Sequence, residues 1–288
     1  MNLPTSPDTQ IEEIASGYPI IHISNAHSTA SIALHGAHLT HYAPHGQSPV
    51  IFTSKEAIYK EGKAIRGGIP ICWPWFGTHP DSEKKLSAHG YARSSFWVLE
   101  TISSDPDGTH LTFSLPPKNN SELHATLEFF IGETLELKLT TTNHGEKPVV
   151  FSEALHSYFA VGDARKVALL GLDGRSYLDS TQTPEPKNKQ HGPVHFPNEI
   201  DRIYTSDDPL VIEDPQKQRH ISIKKSNSQS SIIWNPGKIK GRSLADLANS
   251  EITQFICAES GNVRKQSINL APGSTHSLTL SIGTSQTN

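Results

Sequence analysis

Hydrophobic and polar residues alternate over most of this chain. The pattern runs through "IIHIS", "TASIAL", "FWVLETIS", "THLTFSL", "LHATLEFFI", "TLELKLTTTN", "RHISIKK", "SIIWN", "QFICAES" and "SLTLSIG". A period of two puts successive side chains on opposite faces of a strand, and β-branched and aromatic residues suit that surface. Gly, Pro, Asn, Asp and Ser separate the runs. "FFIGETLEL" predicts a hairpin turning at Gly132–Glu133. The one clear helical pattern is "RSLADLAN", residues 242–249, with Leu244, Leu247 and Ala248 on one face. Many short strands with few short helices predict an all-β fold, a large antiparallel β-sandwich. No repeat, linker or composition break divides the 288 residues, so one domain is expected over 1–288. The polar stretch "DSTQTPEPKNKQHG" (179–192) is expected to be a surface loop. The first ten or so residues and the tail "TSQTN" are expected to fray.

Composition narrows the function classes. Hydrophobic residues make up 35% and charged residues 19%, as in a soluble globular protein with a real core. The formal net charge of -4 leaves no global basic surface for nucleic acid, so an anionic ligand would need a local cluster of cations. No apolar run approaches the roughly 20 residues that cross a bilayer, so no membrane partner is expected. The first residues lack the basic and apolar regions of a secretory signal, which makes the cytoplasm the default compartment. Cys72 and Cys257 lie in apolar runs outside any C-x-x-C and read as buried thiols.

Several stretches could carry chemistry. "EALHSYF" sets Glu153 and His156 three apart, the spacing that carboxylate-bridged metal sites use on helices. The surrounding "VVFSEALHSYF" reads as strand, where residues three apart point to opposite faces, so these two are not expected to share an ion. His35, His38, His41 and His45 are also spaced in threes or fours. Gly36, Pro44 and Gly46 argue against a helix there, and ordinary strand and turn histidines are expected rather than a metal site.

"AIRGGIPICWPWFG" (64–77) is too rich in Gly and Pro for a regular ladder and should be a structured loop. Its adjacent glycines would allow close approach to a ligand, and its Trp and Phe rings would offer faces for a sugar; tight packing without a ligand fits equally well. "AHGYARSSFW" adds His89 and Arg93, and with Arg66 this gives two arginines able to hold a phosphate or carboxylate if the fold brings them together. Asp201 in "NEIDRIYTS" could accept sugar hydroxyls or simply pair with Arg202. Glu259, where the apolar "FICA" ends, would be partly desolvated and poised as a general base, or would face water at a strand end.

Taken in order, "RGGIPICWPWFG", "HGYARSSFW", "EALHSYFAVGD", "DRIY", "CAESGNV" and "INLAPGST" resemble the hexose-6-phosphate mutarotases, or glucose-6-phosphate 1-epimerases. These are a branch of the aldose 1-epimerase, galactose mutarotase-like superfamily. The resemblance spans about residues 18–283. It implies a galactose mutarotase-like supersandwich with its site on a concave face. It also implies interconversion of the α and β anomers of glucose 6-phosphate, with no cofactor and no metal. By position, the resemblance makes His156 the general acid and Glu259 the general base. Arg66, His89, Arg93 and Asp201 become substrate-binding residues, with the arginines at the phosphate. The branch often has Gln before the His-Gly pair, and Ala88 stands there instead. The partner implied is a sugar phosphate met by a monomer. Runner-up readings are a mutarotase of unphosphorylated aldoses, a non-catalytic carbohydrate-binding sandwich, and a metal-dependent cupin-type barrel built on the His35 series.

Overall fold

The computed structural model describes residues 3–14, 17–79, 81, 83, 86–118 and 121–287. All strand pairings within its sheets are antiparallel. One eight-stranded sheet runs Ala168–Leu170, Leu210–Asp214, Arg219–Ser226, Thr275–Gln286, Leu135–Asn143, Leu123–Ile131, Gly108–Ser114 and Val98–Asp105, in that spatial order. The other begins at the edge strand Lys187–Lys189 and runs through Ser176–Asp179 and Ile200–Thr205. It continues through Ser230–Asn235, Phe255–Asn262, Glu153–Leu155 and Ile71–Cys72, and Tyr158–Ala160 also pairs with Phe255–Asn262. A four-stranded sheet of Thr9–Glu13, Pro19–Ser24, Ser28–Ala33 and His38–Pro44 joins the N-terminal side.

The sequence alternation explains how these layers stick. In Leu123–Ile131, Leu123, Ala125, Leu127, Phe129 and Ile131 are buried, while His124, Thr126 and Glu128 face out. The inward residues join one core with Ile21 and Leu39 from the N-terminal sheet and with Tyr204, Ile233, Ile256 and Ala258 from the opposite sheet. Apolar area withdrawn from water across that contact is what holds the sandwich closed.

The central strands Ser230–Asn235 and Phe255–Asn262 are buried on both faces. Along Phe255–Asn262, Ile256 and Ala258 enter the main core, while Phe255 and Cys257 enter a separate cluster with Phe52, Tyr158 and Leu247. Glu259 has the parity of Phe255 and Cys257, so it points away from the main core.

Some expectations need correction. Residues 242–249 are not a helix: a single helical turn lies just before them at Gly237–Gly241, and turns follow. The turns let Leu247 drop into its buried cluster while Asp246 reaches Arg66, which one regular face would not allow. The hairpin has a three-residue connection, since Ile131 pairs with Leu135. The termini are less frayed than expected: Thr9–Glu13 pairs with Pro19–Ser24, and Thr284–Gln286 pair with Arg219–Ile221. Met1, Asn2 and Asn288 lie outside the described residues. The stretch 179–192 is part loop and part edge strand, Lys187–Lys189.

Candidate active site

Residues 149–159 form three short strands, Val149–Phe151, Glu153–Leu155 and Tyr158–Ala160, rather than one. His156 falls in the second interruption. Glu153 accepts from Asn262 Nδ2 at 3.0 Å and sits 2.8 Å from His276 Nε2. His156 instead faces a cleft on the outer side of the sheet, 3.3 Å from Glu259, Nδ1 to Oε1. The two residues of "EALH" therefore serve opposite faces.

The cleft has a volume of about 380 Å³. It gathers all six residues singled out in the sequence: Arg66, His89, Arg93, His156, Asp201 and Glu259. Strand register explains most of this. Asp201 pairs with Trp234 and Ile232 pairs with Glu259, so three adjacent strands present Asp201, Ile203, Ile232, Trp234 and Glu259 on one face. Glu259 is a mid-strand residue in the sheet interior, not the strand end expected from its sequence.

Burial dominates the electrostatics. The Glu259 side chain is 1% exposed and its Oε2 has no hydrogen-bond partner. Desolvation, with the Asp201 charge adding to it and Arg93 opposing, pushes its carboxyl well above the usual range. His156 is pushed well below the ordinary imidazole value, first by burial, then by His89, Arg93 and Arg66. Its Nδ1 also lacks a hydrogen-bond partner, because the 3.3 Å approach to Glu259 does not have hydrogen-bond geometry. Asp201 is raised to about 6, chiefly by burial; Lys240 opposes this while Glu199, Glu185 and Asp179 reinforce it. His89 is lowered to about 3 by burial and by Arg93. Its Nδ1 accepts from Gly77 N–H at 3.3 Å, which leaves Nε2 as the protonated nitrogen.

The two arginines are held differently. Arg66 donates through Nε to Asp246 at 3.0 Å and through Nη1 to the Tyr158 hydroxyl at 3.1 Å. Arg93, in the short turn Ala92–Ser94, donates to the Ala88 carbonyl at 2.9 Å. Position 88 thus contributes its backbone to Arg93, whatever its side chain. Arg202 does not pair with Asp201: it bonds Gln190 and lies over the Tyr177 ring, leaving Asp201 to the cleft.

Of the two readings of the glycine-rich loop, its glycines follow the tightly packed one. Gly67 and Gly68 have φ of 107° and 69°. A Cβ at Gly67 would overlap Phe52 and Thr53, and one at Gly68 would overlap His38 and Leu39. The close approach is to neighbouring protein segments, not to a ligand. Trp73 and Trp75 are packed away, their indole N–H groups donating to Thr141 Oγ1 and the Ser87 carbonyl. Phe76 and Trp234 are the aromatic residues beside Tyr158 in the cleft wall.

The histidine series disperses among separate partners. His35 meets Tyr18 and Gly62, His38 the Gly67 carbonyl, His41 Thr29, and His45 the Asn25 carbonyl. Cys72 and Cys257 are free and buried.

An aldose 1-epimerase family profile matches residues 19–283. The chain belongs to the aldose 1-epimerase family. A relative from Escherichia coli, assigned by name as a glucose-6-phosphate 1-epimerase, is 35% identical over 83% of this chain and 82% of its own. One from Cenchrus ciliaris with the same assignment is 30% identical over 93% and 85%. A solved structure from Salmonella typhimurium, described as a mutarotase, superposes with a TM-score of 0.91 at 28% identity, covering 99% of this chain and 96% of that one.

In this aldose 1-epimerase family member, the sequence reading missed five polar groups of the cleft and its support: Tyr158, Ser180, Lys240, Asp246 and Arg264. Tyr158 had a signal, since it lies two residues after His156. Asp246 was hidden inside an apparent helix. Ser180 and Arg264 reach the rim from distant segments and are tied together there through Glu185.

Proposed function

We propose that this protein interconverts the α and β anomers of glucose 6-phosphate, with His156 and Glu259 exchanging the protons. The observation that carries this reading is the close approach of His156 and Glu259 inside one cleft with Arg66 and Arg93. Glu259 takes the proton of the C1 hydroxyl as His156 gives one to the ring oxygen. The C1–O5 bond breaks, the free aldehyde turns about C1–C2, and reclosure on the other face reverses both transfers. The chemistry consumes one proton and releases one. The one-proton state of the pair matches that balance. Burial favours that proton on Glu259, and the reactive form is the one in which it sits on His156 and Glu259 is ionised, so the titration belongs to the pair.

His89 Nε2–H and Asp201 bind the sugar hydroxyls, and Arg66 and Arg93 receive the phosphate. The relatives assigned as glucose-6-phosphate 1-epimerases support the phosphate preference. We take the chain to act as one domain and as a monomer; its exposed large apolar residues, Val98, Val150 and Ile239 among them, are scattered. Two unpaired buried thiols fit a reducing compartment such as the cytoplasm.

Anomer exchange measured by saturation-transfer NMR tests the reading. Purified protein should exchange the anomers of glucose 6-phosphate well above the buffer rate, and more efficiently than those of glucose. Exchange at the buffer rate would end it.

A further inference from the structure

Tyr158 is the structural link between Arg66 and His156. Its ring lies parallel to the His156 imidazole, with centroids 4.9 Å apart and planes at 10°. Trp234 meets both rings edge-on, at 6.1 Å and 84° for His156 and 6.0 Å and 77° for Tyr158. Phe255 closes the other side at 5.3 Å from Tyr158. Parallel offset stacking inside an aromatic box fixes the imidazole plane through the phenol plane.

Tyr158 is 2% exposed, and its one side-chain polar atom receives a hydrogen bond from Arg66 Nη1 at 3.1 Å. Arg66 is held in turn by Asp246 at 3.0 Å. Asp246, Arg66, Tyr158 and His156 thus form one contact chain from the cleft rim to the buried imidazole. A side chain at the cleft wall needs no such link merely to fill space. A phenylalanine would make the same stack without the hydroxyl.

We propose that Tyr158 is a positioning residue that transmits an anion's arrival at Arg66 to the imidazole of His156. When a phosphate draws the Arg66 guanidinium toward itself, the Tyr158 hydroxyl follows or loses its donor, and the stacked imidazole shifts with the ring. The link is steric and hydrogen-bonded. The same anion also neutralises a cation that opposes His156 protonation. The proposal rests on the functional reading only for where the anion sits. It goes further in making the phosphate an activator of the acid as well as a handle.

The test uses the full-length protein labelled at its histidines, with inorganic phosphate as the probe. In the wild type, phosphate should move the ¹⁵N signals of His156. In Tyr158→Phe, folded and stacked, phosphate should move them by less than half as much. The same variant should lose kcat for glucose 6-phosphate by about tenfold with KM changed less than about twofold, because it binds the anion but fails to relay it.

A second variant, Asp246→Asn, frees Arg66 at its other end and should also blunt the His156 response. Equal His156 shifts in wild type and Tyr158→Phe would overturn the relay, as would a wild type whose His156 ignores phosphate. A wild type that shows the shift and the Tyr158 dependence but no anomer exchange would overturn the mutarotase reading and leave the relay standing.

Discussion

His156 Nδ1 lies 3.3 Å from Glu259 Oε1, and the environment pushes the two groups in opposite directions, the imidazole toward losing its proton and the carboxyl toward keeping one. They come from segments far apart in sequence. The strand Phe255–Asn262 brings them together, because both Glu153–Leu155 and Tyr158–Ala160 pair with it on either side of His156. Removing either partner should remove the chemistry. Glu259→Gln and His156→Ala are each expected to lower kcat for anomer exchange by about 10²- to 10⁴-fold, with folding retained by circular dichroism. Glu153→Gln is the contrasting variant. Its side chain faces His276 and Asn262, so exchange should stay within about twofold of wild type while thermal stability falls. Equal losses in Glu153→Gln and Glu259→Gln would refute the assignment of faces.

The pH profile of kcat/KM should be bell-shaped. On the acid side the pair takes up a second proton as pH falls through the lowered affinity of His156, so that limb should lie below the ordinary imidazole value of 6.5. On the alkaline side the pair loses its only proton as pH rises through the raised affinity of Glu259, above the ordinary 4.5. Both apparent values belong to the coupled pair. A rate that climbs steadily with pH, as hydroxide catalysis would, contradicts this.

Arg66 and Arg93 should discriminate between substrates. Replacing either by Ala is expected to weaken binding of glucose 6-phosphate by about 10- to 100-fold, the scale of a lost charge-assisted hydrogen bond. Binding of glucose should change much less. Titration of both sugars against each variant checks this, and equal losses would place the phosphate elsewhere.

Asp201 should cost stability in return for its place in the cleft. Its folded value of about 6 lies above the ordinary 3.8, so the protonated form is the favoured one in the fold. The stability linked to that form is complete below 3.8 and is lost as pH rises through about 6. Asp201→Asn, which stays neutral, should therefore gain on wild type between pH 4 and pH 8. The gain should be on the order of 1–2 kcal/mol, discounted for solvent at the cleft mouth. Chemical denaturation at the two pH values measures it. A stability difference independent of pH would show that the carboxylate carries no such penalty.

Much of this arrangement was legible in the chain. Alternation in "LHATLEFFI" and "SLTLSIG" specified strands, because a half-buried sheet writes a period of two into its sequence. Local patterns singled out six candidate residues and left their roles open; the family resemblance supplied the roles, and the fold brings the six into one cleft. What stayed hidden depends on three-dimensional neighbours. The sequence places Glu259 where an apolar run gives way to polar residues; the ladder on both sides of it makes it an interior residue. "RSLADLAN" has helical spacing, yet Leu247 and Asp246 are claimed by a buried cluster and by Arg66, and tertiary contacts override local propensity. The Gly67–Gly68 pair showed that a backbone would come close to something. Only the fold shows that the something is His38, Leu39, Phe52 and Thr53.

The cleft divides its labour by anchorage. Glu259 is a ladder residue deep in a sheet, and His156 is pinned between two strands that pair with the same ladder. Arg66, Arg93, Lys240 and Arg264 stand on turns and short helices around it. Substitutions or insertions in the turns that carry Arg93, Lys240 and Arg264 can reshape which sugar is admitted while the strand-held pair stays in place, whereas a change at Arg66 reaches His156 through Tyr158. The rim can therefore vary in reach and charge while the reacting pair keeps its place in the sheet.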